Sequence, residues 1–231
     1  MPSPKLILLL LALIGLTLLV FGIWPGIDLA VTGYFHDASG FPLRSNASIE
    51  TLRNLLWDAS LLIPLLALIL LAVAGWLRRP VLALSARAWG FVLLLFLLGP
   101  GVLVNGILKA QWGRARPVNV MDFGGTAQFT PAYQISDQCA ANCSFVSGEG
   151  AGSMAMTITA LLILWLLRDR LPGALYRLGQ ATALVMLGFV GWQRVASGGH
   201  FLSDVLLSWL FVALIAAILA RFMLPLAAPR R

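Results

Sequence analysis

Three short stretches of this sequence hold the residues that could do chemistry. The first is Lys109-Ala110-Gln111-Trp112-Gly113-Arg114-Ala115-Arg116-Pro117. Cations this close repel one another unless an anion binds among them. An arginine fork holds two phosphate oxygens at once, and lysine adds a point charge. The second runs from Ser144 to Ser153 and is rich in glycine and serine around Ser147-Gly148-Glu149. Such a helix start offers backbone N–H groups to an anion, and glycine lets the backbone approach closely. The third, Gln193 to Asp204, contains Arg194, His200 and Asp204. If a helix begins near Gly199, His200 and Asp204 share one face. A carboxylate on one imidazole nitrogen fixes the tautomer and frees the other nitrogen to attack.

Read alone, each stretch has a plainer explanation. The cations could anchor a helix end at the interface. The glycines could form a flexible loop with an ordinary cap, and the His–Asp pair could be a structural hydrogen bond. Together they make a phosphoryl-transfer site, in which cations offset charge on the equatorial oxygens. No metal or other cofactor is expected, since the carboxylate cluster of a two-metal site is missing.

The elements that must position these residues are set by composition. The chain has 231 residues, 60% hydrophobic and 11% charged, against about 25% charged in a soluble domain. The apolar residues fall in blocks of about 17–25, the length that crosses a bilayer as helix. Lipid offers no partners for backbone groups, which excludes open sheet. The expected fold is all-α: a single membrane-embedded domain, residues 1–231, with the motif-bearing core at about 88–223. Six spans are expected at about 6–24, 55–77, 88–108, 153–167, 178–192 and 201–223. The first is read as a retained anchor, because Phe21-Gly22-Ile23-Trp24-Pro25 is a poor signal-cleavage site.

With the N-terminus inside, the inner segments hold Lys5, Arg78, Arg79, Arg87, Arg168, Arg170, Arg177, Arg221, Arg230 and Arg231. The outer ones hold Arg44, Arg53, Lys109, Arg114, Arg116 and Arg194. That bias fits the positive-inside rule and sends all three polar stretches to the outer face. The net charge of +7 describes topology and attraction to anionic headgroups, not nucleic-acid binding. In the longest outer segment, Cys139 and Cys143 could form a disulfide in an oxidising compartment. Free thiols and, more weakly, a metal site are the alternatives.

These residues resemble the type 2 phosphatidic acid phosphatase family, which includes bacterial lipid phosphatases and vanadium haloperoxidases. Lys109 and Arg116-Pro117 match its first motif, Lys, six residues, Arg-Pro. Arg194, His200 and Asp204 match its third, Ser-Arg, five residues, His, three residues, Asp, with Gln193 in place of the serine. Its second, Pro-Ser-Gly-His, reads Val146-Ser147-Gly148-Glu149 here. The resemblance implies a membrane phosphatase in which His200 attacks a lipid phosphate and forms a phosphohistidine. Asp204 would orient His200, while Lys109, Arg116, Arg194, Ser147 and the Gly148 N–H hold the phosphate. Arg114 lies at no motif position.

Glu149 departs from the motif histidine that protonates the leaving oxygen. It could be the general acid, or stay ionised and bind the headgroup, or mark a crippled site. The only other histidine, His36, lies in the first outer segment. The partners implied are the bilayer and a lipid phosphate at the periplasmic face of a bacterial inner membrane. Lipid A, undecaprenyl diphosphate, phosphatidylglycerol phosphate and phosphatidic acid are the candidates, with a weak lean to lipid A from Asp28, Phe35 and Pro42. Lipid-to-lipid phosphotransfer and non-catalytic lipid binding or transport remain open alternatives.

Overall fold

The computed structural model describes residues 4–224, so Arg230 and Arg231 lie outside the described residues. Each apolar block satisfies its own backbone as helix, and six helices are long and apolar enough to cross a membrane. They are α1 (Pro4–Ile23), α3 (Ala47–Leu77), α4 (Ala86–Gln111), α5 (Gly148–Leu167), α6 (Gly173–Ala196) and α7 (Leu202–Met223). A short helix, α2 (Gly26–Gly33), lies in the segment between α1 and α3. The protein is an all-helical, multi-pass membrane protein.

Several helices start earlier than their apolar blocks suggest, α6 at Gly173 rather than 178 among them, and in two the cap shows why. The run at Leu55 predicts a span from there, but α3 begins at Ala47 because the Asn46 side chain caps it, accepting from Ile49 N at 3.1 Å. The extra two turns carry Glu50 and Arg53 on an i,i+3 pair. Likewise α5 begins at Gly148 rather than Ser153. Ser147 Oγ accepts from Gly150 N at 3.0 Å, which turns the glycine stretch into the first turn of helix. By contrast α4 widens into π-helix at Leu97–Leu108, around Gly99-Pro100-Gly101. There Asn105 Nδ2 donates to the Pro100 carbonyl at 2.8 Å.

Helix α5 packs against α3, α6 and α7, while α1 covers α7 and α4 packs on α3 and α7. Where α5 meets α7, a Cβ on Gly150 would stand 2.5 Å from Ser208 Oγ, so only glycine permits this approach. The short connections α3–α4 and α5–α6 lie at one end of the bundle. The residue 112–147 segment, α2 and the α6–α7 turn meet at the other.

That second end is organised around Arg114, which has no exposed surface. Its guanidinium donates to Asp28 Oδ2 at 2.8 Å, Asp204 Oδ1 at 2.7 Å, Ser203 Oγ at 2.9 Å and the Thr130 carbonyl at 2.8 Å. It also lies over the Phe201 ring, 4.4 Å from the centroid. Burial opposes its charge, but Asp204 and Asp28 outweigh burial and raise its pKa above the usual arginine value. Burial raises the pKa of Asp28, against the pull of Arg114. α2, the long outer segment and the start of α7 are thereby tied to one buried cation.

Replacing Arg114 with Met should therefore lower stability by about 3–5 kcal/mol, because two buried carboxylates lose their shared cation. Chemical unfolding in detergent measures this. A midpoint equal to that of the unmodified protein would mean the carboxylates find other partners.

Candidate active site

His200 sits in the turn between α6 and α7, 2% exposed. Its backbone N–H and that of Gly199 both donate to the Arg194 carbonyl at 3.0 Å, which fixes the turn. Imidazole Nδ1 lies 2.7 Å from the Ser144 carbonyl oxygen. A carbonyl only accepts, so Nδ1 carries the hydrogen and Nε2 keeps its lone pair.

Asp204 does not bond His200 directly, as the four-residue spacing predicts. Its nearer oxygen is 3.9 Å from Nδ1, beyond hydrogen-bond range. The reason is local: α7 begins at Leu202, so His200 lies outside the helix and the two side chains do not share its face. Instead Asp204 Oδ2 accepts from Ser144 Oγ at 2.6 Å and from Phe201 N at 3.0 Å. Asp204 thus acts on His200 through Ser144, whose hydroxyl it holds while the Ser144 carbonyl holds the imidazole.

Three cations surround the imidazole. Burial first, and then the charges of Arg116, Lys109 and Arg194, push the His200 pKa well below the usual histidine value, against the Ser144 hydrogen bond. Lys109 ends α4, and a Cβ on Gly148 would lie 3.5 Å from its Nζ. A Cβ on Gly199 would lie 3.3 Å from Arg194 Nη1. The first turn of α5 leaves the N–H groups of Gly148 and Glu149 without intrahelical acceptors. Ser147, expected beside the phosphate, is fully buried and caps α5 with its hydroxyl.

Internal acceptors hold these cations. Asn142, with a left-handed φ of 52°, accepts from Lys109 Nζ at 3.1 Å and Arg116 Nη2 at 2.7 Å through Oδ1. Its backbone carbonyl accepts from Arg116 Nε at 3.0 Å. Asn142 belongs to the short ring closed by the Cys139–Cys143 disulfide, which ends next to Ser144. Burial lowers the Arg116 pKa, against the charge of Glu149 and with that of Arg44.

Glu149 accepts from Arg53 Nε at 2.8 Å, Arg53 Nη2 at 2.6 Å and Arg194 Nη1 at 2.9 Å. Guanidinium groups only donate, so both oxygens are used as acceptors, the geometry of a carboxylate. Gln193 accepts from Arg194 Nε at 2.6 Å and donates to Glu50, joining α3 to α6.

Sequence reasoning missed Arg53, Glu50, Asn142 and Ser144, and set Arg114 aside. Asn46 as a capping residue is the signal that would have extended α3 to reach Arg53 and Glu50. A cavity of about 170 Å³ opens between α3, α5 and α6. It is lined by Leu56, Met156, Ala183, Met186, Leu187 and Val190. Among the described residues no three histidine, cysteine, aspartate or glutamate side chains converge to hold a metal ion.

The model of the PAP2 superfamily matches residues 89–226. The chain belongs to the PAP2 superfamily. It is 34% identical over 194 residues to the lipid A 4'-phosphatase of Francisella tularensis subsp. novicida (strain U112), covering 83% of this chain and 84% of that protein. It is 32% identical over 219 residues to the lipid A 4'-phosphatase of Rhizobium leguminosarum, covering 88% and 90%. Its fold matches the crystal structure of a transmembrane PAP2-type phosphatidylglycerolphosphate phosphatase from Bacillus subtilis, with TM-score 0.60 and 20% identity over 94% of each chain. This PAP2 protein is a membrane phosphatase. Lys109, Arg116 and Arg194 stand around His200, and Glu149 lies beside them, bonded to Arg194.

The depressed pKa of His200 keeps the imidazole neutral through pH 6.5, and lowering pH further protonates it. Protein labelled with ¹⁵N-histidine and carrying His36→Gln has one imidazole, whose two ring-nitrogen resonances report its protonation. Its titration midpoint should fall well below 6.5, and a midpoint at or above 6.5 would show that burial and the cations do not act on it as described.

Proposed function

We propose that this protein removes phosphate from a phosphorylated lipid, with lipid A the substrate favoured by its relatives, at the periplasmic face of a bacterial inner membrane. The observation that carries this reading is His200: buried, with Nδ1 held by Ser144 and a free Nε2 among three cations. Nε2 attacks phosphorus in line, the Nε2–P bond forms and the P–O bond to the lipid breaks. Lys109, Arg116 and Arg194 take the phosphate oxygens, with the Gly148 N–H at the α5 start. The displaced lipid oxygen takes a proton from water. The hydroxide so formed attacks the phosphohistidine, releasing phosphate and restoring the imidazole. Asp204 and Ser144 position the nucleophile, and Asn142 positions Lys109 and Arg116.

Glu149, held by two arginines, stays ionised and is not the general acid. It keeps Arg53 and Arg194 in place beside the leaving group. The apolar cavity between α3, α5 and α6, which shares Leu56, Met156 and Val190 with a small pocket lined by Arg53 and Glu149, gives an acyl chain a path into the bilayer. The outward site is supported by the basic residues at the opposite end of the bundle and by a disulfide on the site's side.

Phosphate release should be measured on lipid A, phosphatidylglycerol phosphate, phosphatidic acid and undecaprenyl diphosphate, with transferred phosphate read in parallel. Lipid A should turn over fastest, and His200→Ala should lose about a thousandfold or more. Release by that variant would sink the nucleophile, and acceptor-dependent transfer would make the protein a phosphotransferase. Glu149→Gln should lose no more than about tenfold, the scale of one charge-assisted hydrogen bond, with an unchanged pH profile. A larger loss that Glu149→His restores would return the acid role to Glu149.

A further inference from the structure

Arg44 stands apart from the other arginines at this end of the protein. Arg53, Arg114, Arg116 and Arg194 each donate to acceptors within the chain. For the guanidinium of Arg44, exposed in the turn Pro42–Ser45, the described residues supply no hydrogen bond and no ion pair. Yet its charge acts on Arg116 and lowers the pKa of that cation. Glu149 offsets part of the charge on Arg116, but Arg44 has no carboxylate bonded to it among the described residues, and an anion held by Arg44 would relieve the remaining repulsion.

Arg44 lines a cleft of about 540 Å³ between the first outer segment and residues 118–123. That volume lies within the roughly 300–1,000 Å³ range of small-molecule sites. The cleft shares a wall with the catalytic turn. Val118 and Asn119 directly follow Arg116-Pro117, and Val118 N donates to the Gly198 carbonyl at 3.1 Å. Gly198 has φ +65°, and a Cβ there would lie 2.6 Å from the Phe41 ring. The cleft is amphipathic. Phe41 and Phe123 meet at 5.5 Å, with His36 at 5.0 and 5.2 Å from them. Ser39, Ser45 and Asn119 add polar edges, and the Asn119 amide has no partner among the described residues. Aromatic edges beside the unpartnered Asn119 amide, and beside serine hydroxyls that donate to Asp37 and Pro42 but can still accept, suit a sugar ring, whose faces are apolar and whose rim is polar.

We propose that this cleft binds the part of a glycolipid headgroup beyond the reacting phosphate, a sugar ring carrying a second anionic group that Arg44 holds. The proposal rests on the phosphatase reading of His200. It makes the protein selective for a phosphorylated glycolipid with two anionic groups over a glycerol phosphate of the same acyl chains.

Steady-state kinetics on three lipids tests it: an acylated glucosamine disaccharide with two phosphates, the same lipid with only the reacting phosphate, and phosphatidic acid. Arg44→Ala should raise KM about tenfold for the first lipid, the scale of a lost charge-assisted hydrogen bond, with kcat within about twofold. It should move neither parameter for the other two by more than about twofold, the scatter of exposed charges, and Arg44→Lys should restore part of the loss. Asn119→Ala should raise KM for both disaccharide lipids and leave phosphatidic acid unchanged. Equal effects of Arg44→Ala on all three lipids, or none on any, would overturn the proposal. His200→Ala separates the two levels: if it still releases phosphate the phosphatase reading fails, and if it does not, an indifferent Arg44→Ala removes the cleft alone.

Discussion

A guanidinium without exposed surface, set between two buried carboxylates, ties together stretches of chain far apart in sequence. Arg114 reaches Asp28 in α2, Asp204 in α7 and the Thr130 carbonyl in the long outer segment. Buried ions of this kind stabilise little in net terms, because desolvation consumes most of the attraction. Their value here is positional. Asp204 is held by Arg114 on one oxygen and by Ser144 and Phe201 on the other. Ser144 in turn meets the imidazole. The placement of His200 therefore follows from a chain of contacts that begins at Arg114.

The cations around His200 pose an electrostatic problem that the protein solves in two ways. Lys109 and Arg116 share a neutral amide, Asn142, whereas Arg194 shares a carboxylate, Glu149, with Arg53. A neutral acceptor yields readily to a dianionic phosphate, while a carboxylate competes with it. The two sides of the site are thus unequal: one is open to exchange, and the other is a fixed network that runs through Gln193 and Glu50 into α3.

The membrane spans were legible from the apolar blocks, because lipid leaves a buried backbone no alternative to helix. The meeting of the three polar stretches at one end followed from counting spans. Helix starts were less legible. Asn46 and Ser147 each carry a helix outward beyond its apolar run, and apolar periodicity is blind to a cap. The four-residue spacing of His200 and Asp204 misled because it presumes both lie within the helix, and α7 starts between them. Arg114 could not be ranked from the sequence, since a cation among cations at a helix end looks like a phosphate ligand until its carboxylate partners are located. The pairing of Arg53 with Glu149, 96 positions apart, is a tertiary fact that no local pattern contains.

The Cys139–Cys143 ring closes a very short loop, so in a chain-entropy account it restricts the unfolded chain only modestly. The ring nevertheless contains Asn142, which holds two cations, and is followed directly by Ser144, which holds the imidazole. The cross-link therefore bears on the site through the residues it holds in place and only modestly through chain entropy. A cross-link that scarcely registers in a denaturation curve can still decide whether the reacting groups are aligned, so thermal resistance is a poor surrogate for a working centre here.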